Sequence, residues 1–537
     1  MSTVFATEHL LFTPATPSSE AIPLVFAFPN KYSVGITSLG YQVIWAMLAS
    51  RRDVQVSRLF TDVHEPLPSD PELLGFSCSW ELDYINILNL LEQLQIPLRA
   101  QQRQAHHPLV FGGGPVLTAN PEPYADFFDL ILLGDGEDLL DQLITTYQSV
   151  RSAPRSVQLT TLAQVPGIYV PSLYTVSYSD PTGEICSIQP IAPDIPATVS
   201  KQTYRGNTLS TSTVVTPKAA WENIYMVETV RSCPEMCRFC LASYLTLPFR
   251  TPSVTASLIP AIERGLTVTQ RIGLLGASVT QHPEFEQLLD FFDRPACEGV
   301  HLSLASVRTS TVTPRLASVL SKRQTRSITI AIESGSEHIR QIINKKLSNT
   351  EILEAAHHAK AGGLSGIKFY GMVGVPGETT ADLVATVDLL TTIKRQVPGL
   401  KLTLGCSTFV PKAHTPFQWF GVNPQAEKRL QLLQKQLRPQ GIDFRPESYN
   451  WSVIQALLAR GDRRLAPLLE LTRHYGDSLG SFRRAFKELK GQLPPLEFYV
   501  QHNWNLNQIL PWQHLQGPLP INTLQKHLAT ATALFNP

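Results

Sequence analysis

Short apolar runs alternate with amphipathic helical stretches in two long series along the chain, and this confines it to parallel α/β architecture. In the first series the pattern predicts strands at Pro23–Phe28, Val54–Phe60, Leu73–Ser77, Pro108–Phe111 and Asp129–Leu133. Helices are predicted at Leu39–Ser50, Leu82–Gln95 and Glu137–Val150. Such a series folds as a small Rossmann-like domain, here residues 1–150. Between 151 and 220 the pattern breaks into β-like pieces, Gly167–Pro171 and Tyr174–Ser179, and a Thr/Ser/Pro-rich stretch; these read as a hairpin and linker.

The alternation resumes over residues 221–424. Strands are predicted at Ile224–Glu228, Arg271–Leu275, His301–Ser306, Ser327–Glu333, Gly366–Val373 and Lys401–Phe409. The helical patterns between them fall at Val254–Arg264, Phe285–Asp293, Pro314–Ser321, Glu337–Lys345 with Thr350–Ala361, and Ala381–Gln396. Six β/α units suit a partial, open TIM-like barrel, in which reactive groups sit beyond the carboxyl ends of the strands. Residues 425–537 read as a mainly helical C-terminal domain, with helices at Gln425–Leu437, Trp451–Leu458 and Leu465–Leu471.

Composition narrows the function. Lys and Arg number 45 against 44 Asp and Glu, and no long basic block relieves that balance, so no nucleic-acid partner is expected. No apolar run reaches the roughly 18 to 20 residues of a membrane span. The N-terminal residues lack the basic-then-apolar pattern of a secretory signal, and the cytoplasm is the expected location. The 41 prolines fall mostly between periodic segments, where they punctuate loops.

Seven cysteines are an odd number for a disulfide framework, and three are crowded into Arg231-Ser-Cys-Pro-Glu-Met-Cys-Arg-Phe-Cys240, directly after the first barrel strand. Gaps of three and two residues let one tight loop turn Cys233, Cys237 and Cys240 toward a common centre. No fourth cysteine lies near. Three ligands on a four-iron cube leave one iron open to a substrate's amino and carboxylate groups. A structural zinc site is the alternative; it needs a fourth ligand, for which His282 would have to be recruited from another strand. Cys186, Cys297 and Cys406 stand alone and read as buried small hydrophobes.

The loop resembles the CxxxCxxC signature of the radical S-adenosylmethionine (radical SAM) superfamily, with Phe239 at its aromatic position. From about Leu24 to Leu528 the chain is similar to a subgroup that joins an N-terminal cobalamin-binding-type domain to the radical barrel. Glu333-Ser-Gly-Ser-Glu337, Gly371-Met-Val-Gly-Val-Pro-Gly-Glu378, Phe409-Val-Pro-Lys412 with Thr415-Pro-Phe-Gln-Trp419, and Ala459-Arg-Gly-Asp-Arg-Arg464 look like segments of that subgroup. The resemblance implies a 4Fe–4S cluster on the three cysteines, bound S-adenosylmethionine, and its reductive cleavage to a 5'-deoxyadenosyl radical. It implies an external one-electron donor such as flavodoxin or ferredoxin, and a small-molecule or peptide substrate.

Further roles follow from the same resemblance, residue by residue. The turn that ordinarily carries an acidic residue against the methionine amino group reads Gly276-Ala277-Ser278 here, leaving backbone carbonyls and Ser278 for the task. Ser306 and Arg308 are candidates for the ribose and the carboxylate, Glu333 for the ribose hydroxyls, and Gly374 and Val375 for the adenine. Each has a plainer reading: Glu333 as a helix cap, Arg308 as a surface ion pair, Arg340 and Lys345 as solvated helix charges, Phe417 and Trp419 as core.

In the N-terminal domain Gly112, Gly113 and Gly114 follow the fourth strand, and Gly134 and Gly136 follow the fifth. Glycines at carboxyl ends of an open sheet admit close approach of a ligand, and these loops resemble those that hold cobalamin. The histidine motif of other cobalamin proteins is absent: Asp62-Val-His64 ends in Leu67 where glycine is required. Either the domain binds cobalamin, for methyl transfer or radical rearrangement or oxidation, or it keeps the fold as a lid or docking surface. A non-catalytic cluster-binding scaffold competes with the enzyme. A tRNA methylthiotransferase would need three more cysteines near the N-terminus, where the chain has Cys78 alone.

Overall fold

The computed structural model of the chain describes residues 4–476 and 478–535. The first series forms strands β1 (Ile22–Ala27), β2 (Val54–Leu59), β3 (Leu73–Ser77), β4 (Leu109–Gly113) and β5 (Leu130–Leu132), all parallel, with β6 (Ile168–Tyr169) antiparallel at the edge. The sheet order is β2-β1-β3-β4-β5-β6. Helices cover both faces, which is why β1 reads as an unbroken apolar run with all but one residue buried. The direction of winding reverses between β1 and β3, and that reversal opens a crevice at their carboxyl ends.

A hairpin follows, β7 (Tyr174–Tyr178) against β8 (Ile185–Pro190). Strand alternation buries Ile185 and turns Cys186 outward, so Cys186 is exposed and not the buried hydrophobe its isolation suggested. Cys297 and Cys406 are buried as expected.

The barrel sheet has two parallel parts. Strands β9 (Ile224–Glu228), β10 (Arg271–Leu275) and β11 (His301–Leu304) form one; β12 (Ser327–Glu333), β13 (Gly366–Val373), β14 (Lys401–Thr408) and β15 (Asp443–Pro446) form the other. They meet where Val307 N donates to Thr329 O at 2.9 Å. β15 is a seventh strand, short and polar, inside the stretch that reads as helical. Along β12, Ile328, Ile330 and Ile332 are buried against the helices while Thr329, Ala331 and Glu333 take the opposite face. β12 ends in a register shift against β13, with Glu333 at φ +63°.

Two hydrophobic cores result. One lies between the barrel strands and their helices; the other is continuous from the N-terminal sheet into the C-terminal helices Tyr449–Arg460, Ala466–Tyr475 and Ile521–Thr532, and takes in Phe417 and Trp419. The segment Ala459–Arg464 clamps these parts together. Asn120 Nδ2 donates to the carbonyls of Ala459 and Gly461 (3.2 and 2.9 Å), and Arg463 pairs with buried Glu122 at 2.9 Å. Arg460, fully buried, donates to Tyr499 O at 2.6 Å and lies 3.8 Å from the Trp504 ring centroid. Among the described residues no helix is long and apolar enough to cross a membrane.

Candidate functional site

The loop after β9 has no regular structure of its own and is held by its surroundings. Ser232 and Met236 adopt φ of +73° and +56°, conformations that cost energy for residues with a Cβ and persist only when neighbours enforce them. Asn344 Nδ2 donates to Met236 O at 2.9 Å, and Tyr244 Oη to the same carbonyl at 3.1 Å. Arg238, one residue after Cys237, donates from Nη1 to Gln341 O and Ile342 O (2.9 and 2.6 Å) and from its amide to Ile343 O. The helix Glu337–Ile342 and the turn after it therefore fix the loop.

All three thiols open into one cavity of about 170 Å³. Phe239, Ala277, Ser278, Ser306, Arg308 and Glu333 line it too. Burial pushes the Cys237 thiol up to about 12. It also raises Cys240, against which the amides of Ser243 and Ala242 act. Charges on the walls come in opposed pairs. Lys345 Nζ donates to Glu333 Oε1 at 3.1 Å, and Arg308 Nη2 stands 3.0 Å from Glu235 Oε2. Burial works to neutralise Lys345, but the Glu333 carboxylate and Cys237 outweigh it and raise its affinity for the proton. Arg308 also donates to Lys346 O at 2.6 Å, so it is a cavity group and not a surface ion pair. Glu333 closes β12 and contacts Lys345; the cap of the next helix is Ser336.

Glu235, Gln281 and Lys345 also line this cavity. In the sequence no role attaches to the first two, and Lys345 stands as a solvated helix charge with a ligand role as its alternative. Gln281 Nε2 donates to Glu235 Oε1 at 2.6 Å, and Ser278 Oγ bonds to Gln281 Oε1. An acidic group therefore stands beside the Gly276-Ala277-Ser278 turn after all, brought by the cysteine loop. The visible signal is its place inside the cysteine triplet.

Gly276, which does not line the thiol cavity, is one of four glycine or backbone assignments that need correction. Gly374 donates its amide to Glu378 Oε2 at 2.7 Å and faces Ala426 and Asn423, while Val375 is buried in the core; neither lines the thiol cavity. Gly112 faces Leu117 and Phe128 in the core, because alternation along β4 puts its neighbours Phe111 and Gly113 on the other side.

A second cavity, about 380 Å³, lies at the carboxyl ends of β1, β3, β4 and β5, at the reversal point of the sheet. Gly113, Gly114, Gly134 and Gly136 line it, with apolar walls from Phe76, Phe111 and Leu132. Its far side is the barrel: Glu228, Arg231, Leu275 and Gly276. Gly276 has φ +147°, and a Cβ there would stand 2.6 Å from Val230 O. Gly276 thus faces the second cavity while Ala277 and Ser278 face the thiols. His64 is exposed and lines neither cavity.

Among the described residues no three His, Cys, Asp or Glu side chains converge closely enough to share one metal ion. The zinc alternative loses its fourth ligand as well: buried His282 is engaged with Pro252 O at 2.8 Å and Glu284 N at 3.0 Å. A four-iron cube asks for wider spacing, since each thiolate binds a different corner.

Residues 227–390 match the family model of the radical SAM superfamily, and residues 47–171 match that of the N-terminal region of radical SAM proteins. The chain belongs to the radical SAM superfamily. The match begins at the end of β9 and takes in the cysteine loop. A radical SAM assignment agrees with the mixed α/β fold and its parallel sheets. An uncharacterized protein of Methanocaldococcus jannaschii is 26% identical over 453 residues, covering 83% of this chain and 90% of that one. Two solved radical SAM structures are similar at low identity. The methyltransferase TsrM from Kitasatospora setae, with cobalamin and a 4Fe–4S cluster bound, has a TM-score of 0.48 at 13% identity, over 74% of this chain and 76% of that one. The cobalamin-dependent enzyme OxsB, with aqua-cobalamin and S-adenosylmethionine bound, has a TM-score of 0.48 at 12% identity, over 95% and 79%.

Proposed function

We propose that Cys233, Cys237 and Cys240 hold a 4Fe–4S cluster and that the chain is an enzyme cleaving S-adenosylmethionine reductively to a 5'-deoxyadenosyl radical. The observation that carries this reading is the convergence of three thiols of one loop on a single cavity lined by the ends of β10, β11 and β12. The donor set fits the group: three sulfurs and no fourth thiol on the lining, with Ser243 Oγ buried on the same wall without a protein partner. When bound, the cluster supplies the electron and an open iron for the amino-acid end of the cosubstrate.

The chain's own residues bind, orient and shield. Backbone at Ala277 and Ser278 offers carbonyls to an ammonium group, and Glu235 adds negative charge beside them. Arg308 offers a guanidinium to a carboxylate once it shares its pairing with Glu235. Glu333, held by Lys345, is within the same cavity for ribose hydroxyls. Opposed pairs keep the cavity near neutrality, which suits a ligand that carries both signs.

The cavity of the N-terminal sheet is proposed to take cobalamin, its apolar walls meeting a flat macrocycle and its glycines admitting close approach. The reaction class would then be methyl transfer or radical rearrangement or oxidation of a small-molecule or peptide substrate, with flavodoxin or ferredoxin as electron donor.

The test is anaerobic reconstitution with iron and sulfide, chemical reduction, addition of S-adenosylmethionine, and quantitation of 5'-deoxyadenosine. Wild type is expected to form it and Cys237→Ala to form none. A fully loaded cluster that yields no 5'-deoxyadenosine overturns the enzyme reading in favour of a scaffold.

A further inference from the structure

Arg231 stands two residues before Cys233, yet its guanidinium serves the other cavity. Nη2 is 2.7 Å from Glu228 Oε2 and 2.8 Å from Glu137 Oε1, and Nη1 is 3.5 Å from Asp135 Oδ1. Arg250 Nη1 reaches the same Asp135, at Oδ2, over 2.6 Å. Arg231 and Arg250 also exchange both backbone hydrogen bonds, at 3.0 and 2.9 Å. All five side chains are largely buried, between 11% and 17% exposed. Asp135, the N-cap, and Glu137, in the first turn, belong to the helix Gly136–Ser149 that follows β5 in the N-terminal domain; Arg231 belongs to the thiol loop. Arg231, Asp135, Glu137 and Glu228 all line the N-terminal cavity, and Arg231 does not line the thiol cavity.

We propose that Arg231 is a positioning residue that couples filling of the N-terminal cavity to the geometry of the thiol loop. The proposal rests on the two-cofactor reading above. A ligand in the N-terminal cavity that contacts Asp135 or Glu137 changes the strength of their existing grip on Arg231, and the backbone ladder with Arg250 carries that change to the start of the cysteine loop. Thermodynamic linkage makes this reciprocal: a built cluster raises corrinoid affinity by the same factor that the corrinoid raises cluster affinity.

The experiment measures hydroxocobalamin binding to the full chain, apo and after anaerobic cluster reconstitution. In wild type the two affinities are expected to differ by about fivefold or more, the lower end of ordinary coupling. Arg231→Gln is expected to bring the ratio to about one while iron content is retained, and Arg231→Lys to restore part of it. Should Arg231→Gln fail to fold by circular dichroism, Glu137→Gln, which leaves the loop sequence intact, reads the same ratio. Equal affinities in wild type, absence of hydroxocobalamin binding, or a wild-type ratio in Arg231→Gln or Glu137→Gln overturns the proposal. Failure of the cluster assignment is seen separately, as missing iron–sulfur absorption and, after dithionite reduction, a missing electron paramagnetic resonance signal before any corrinoid is added.

Discussion

Lys345 Nζ and Glu333 Oε1 stand 3.1 Å apart on the wall onto which Cys237 opens, with each side chain 13% exposed. Such a pair owes its stability to being complete: removing one partner leaves the other charge in a poor solvent. Lys345→Met or Glu333→Gln is expected to cost about 2–3 kcal/mol in urea unfolding of the apo protein. The double variant is expected to recover at least half of that. Strictly additive single effects would refute the pairing.

Cysteine substitutions separate ligands from packing. Cys233→Ala, Cys237→Ala and Cys240→Ala are each expected to abolish the four-iron electron paramagnetic resonance signal after reconstitution and dithionite reduction. Cys297→Ala and Cys406→Ala, both buried, are expected to keep iron and lose about 1 kcal/mol of stability. Iron and sulfide analysis of the five variants decides it.

The N-terminal glycines answer to different causes. Gly114 has φ +111°, and a Cβ there would stand 2.5 Å from Cys78 O, so Gly114→Ala is expected to lower stability by about 2 kcal/mol or more. At Gly113 the nearest atom to an added Cβ is 3.7 Å away. Gly113→Leu is therefore expected to fold and to exclude hydroxocobalamin, read by thermal unfolding together with a binding titration.

His414 is buried, and burial holds its imidazole down to about 4 against the Ala119 carbonyl, which acts in the opposite sense. Between pH 6.5 and about 4 the unfolded chain takes a proton that the folded chain refuses. The contribution of His414 to stability is thus fully present above 6.5 and lost as pH falls through that window, at up to about 1.4 kcal/mol per pH unit. Urea midpoints of the apo protein from pH 7 to 4 are expected to fall less steeply in His414→Gln. An unchanged slope would place a proton on the ring in the native state.

Regular structure was legible where one physical rule acted alone. The six barrel strands from Ile224–Glu228 to Lys401–Thr408 lie where the alternation put them, because each carries a buried apolar face and sits between helices. Asp443–Pro446 was not legible: four polar-flanked residues carry too little pattern, and the edge of β14 recruits them. At the thiol cavity, Ser306, Arg308 and Glu333 follow from the family resemblance, which attaches roles to the ends of successive strands. Glu235 escaped because its role depends on Gln281 and Arg308, distant in sequence and adjacent only after folding. Gly112 and Gly374 were misjudged for a related reason, since a glycine looks the same whether it makes room for a ligand, a phenyl ring or a helix.

The chain's end returns to the cysteine loop: Tyr244 Oη meets His527 Nδ1 at 2.7 Å, and the His338 imidazole meets Leu534 O at 2.8 Å. During synthesis those partners leave the ribosome almost three hundred residues after Cys240. The Tyr244 anchor, which also grips Met236 O, is consequently completed only once the helix Ile521–Thr532 has been made and docked, so that hold on the loop tightens late in folding.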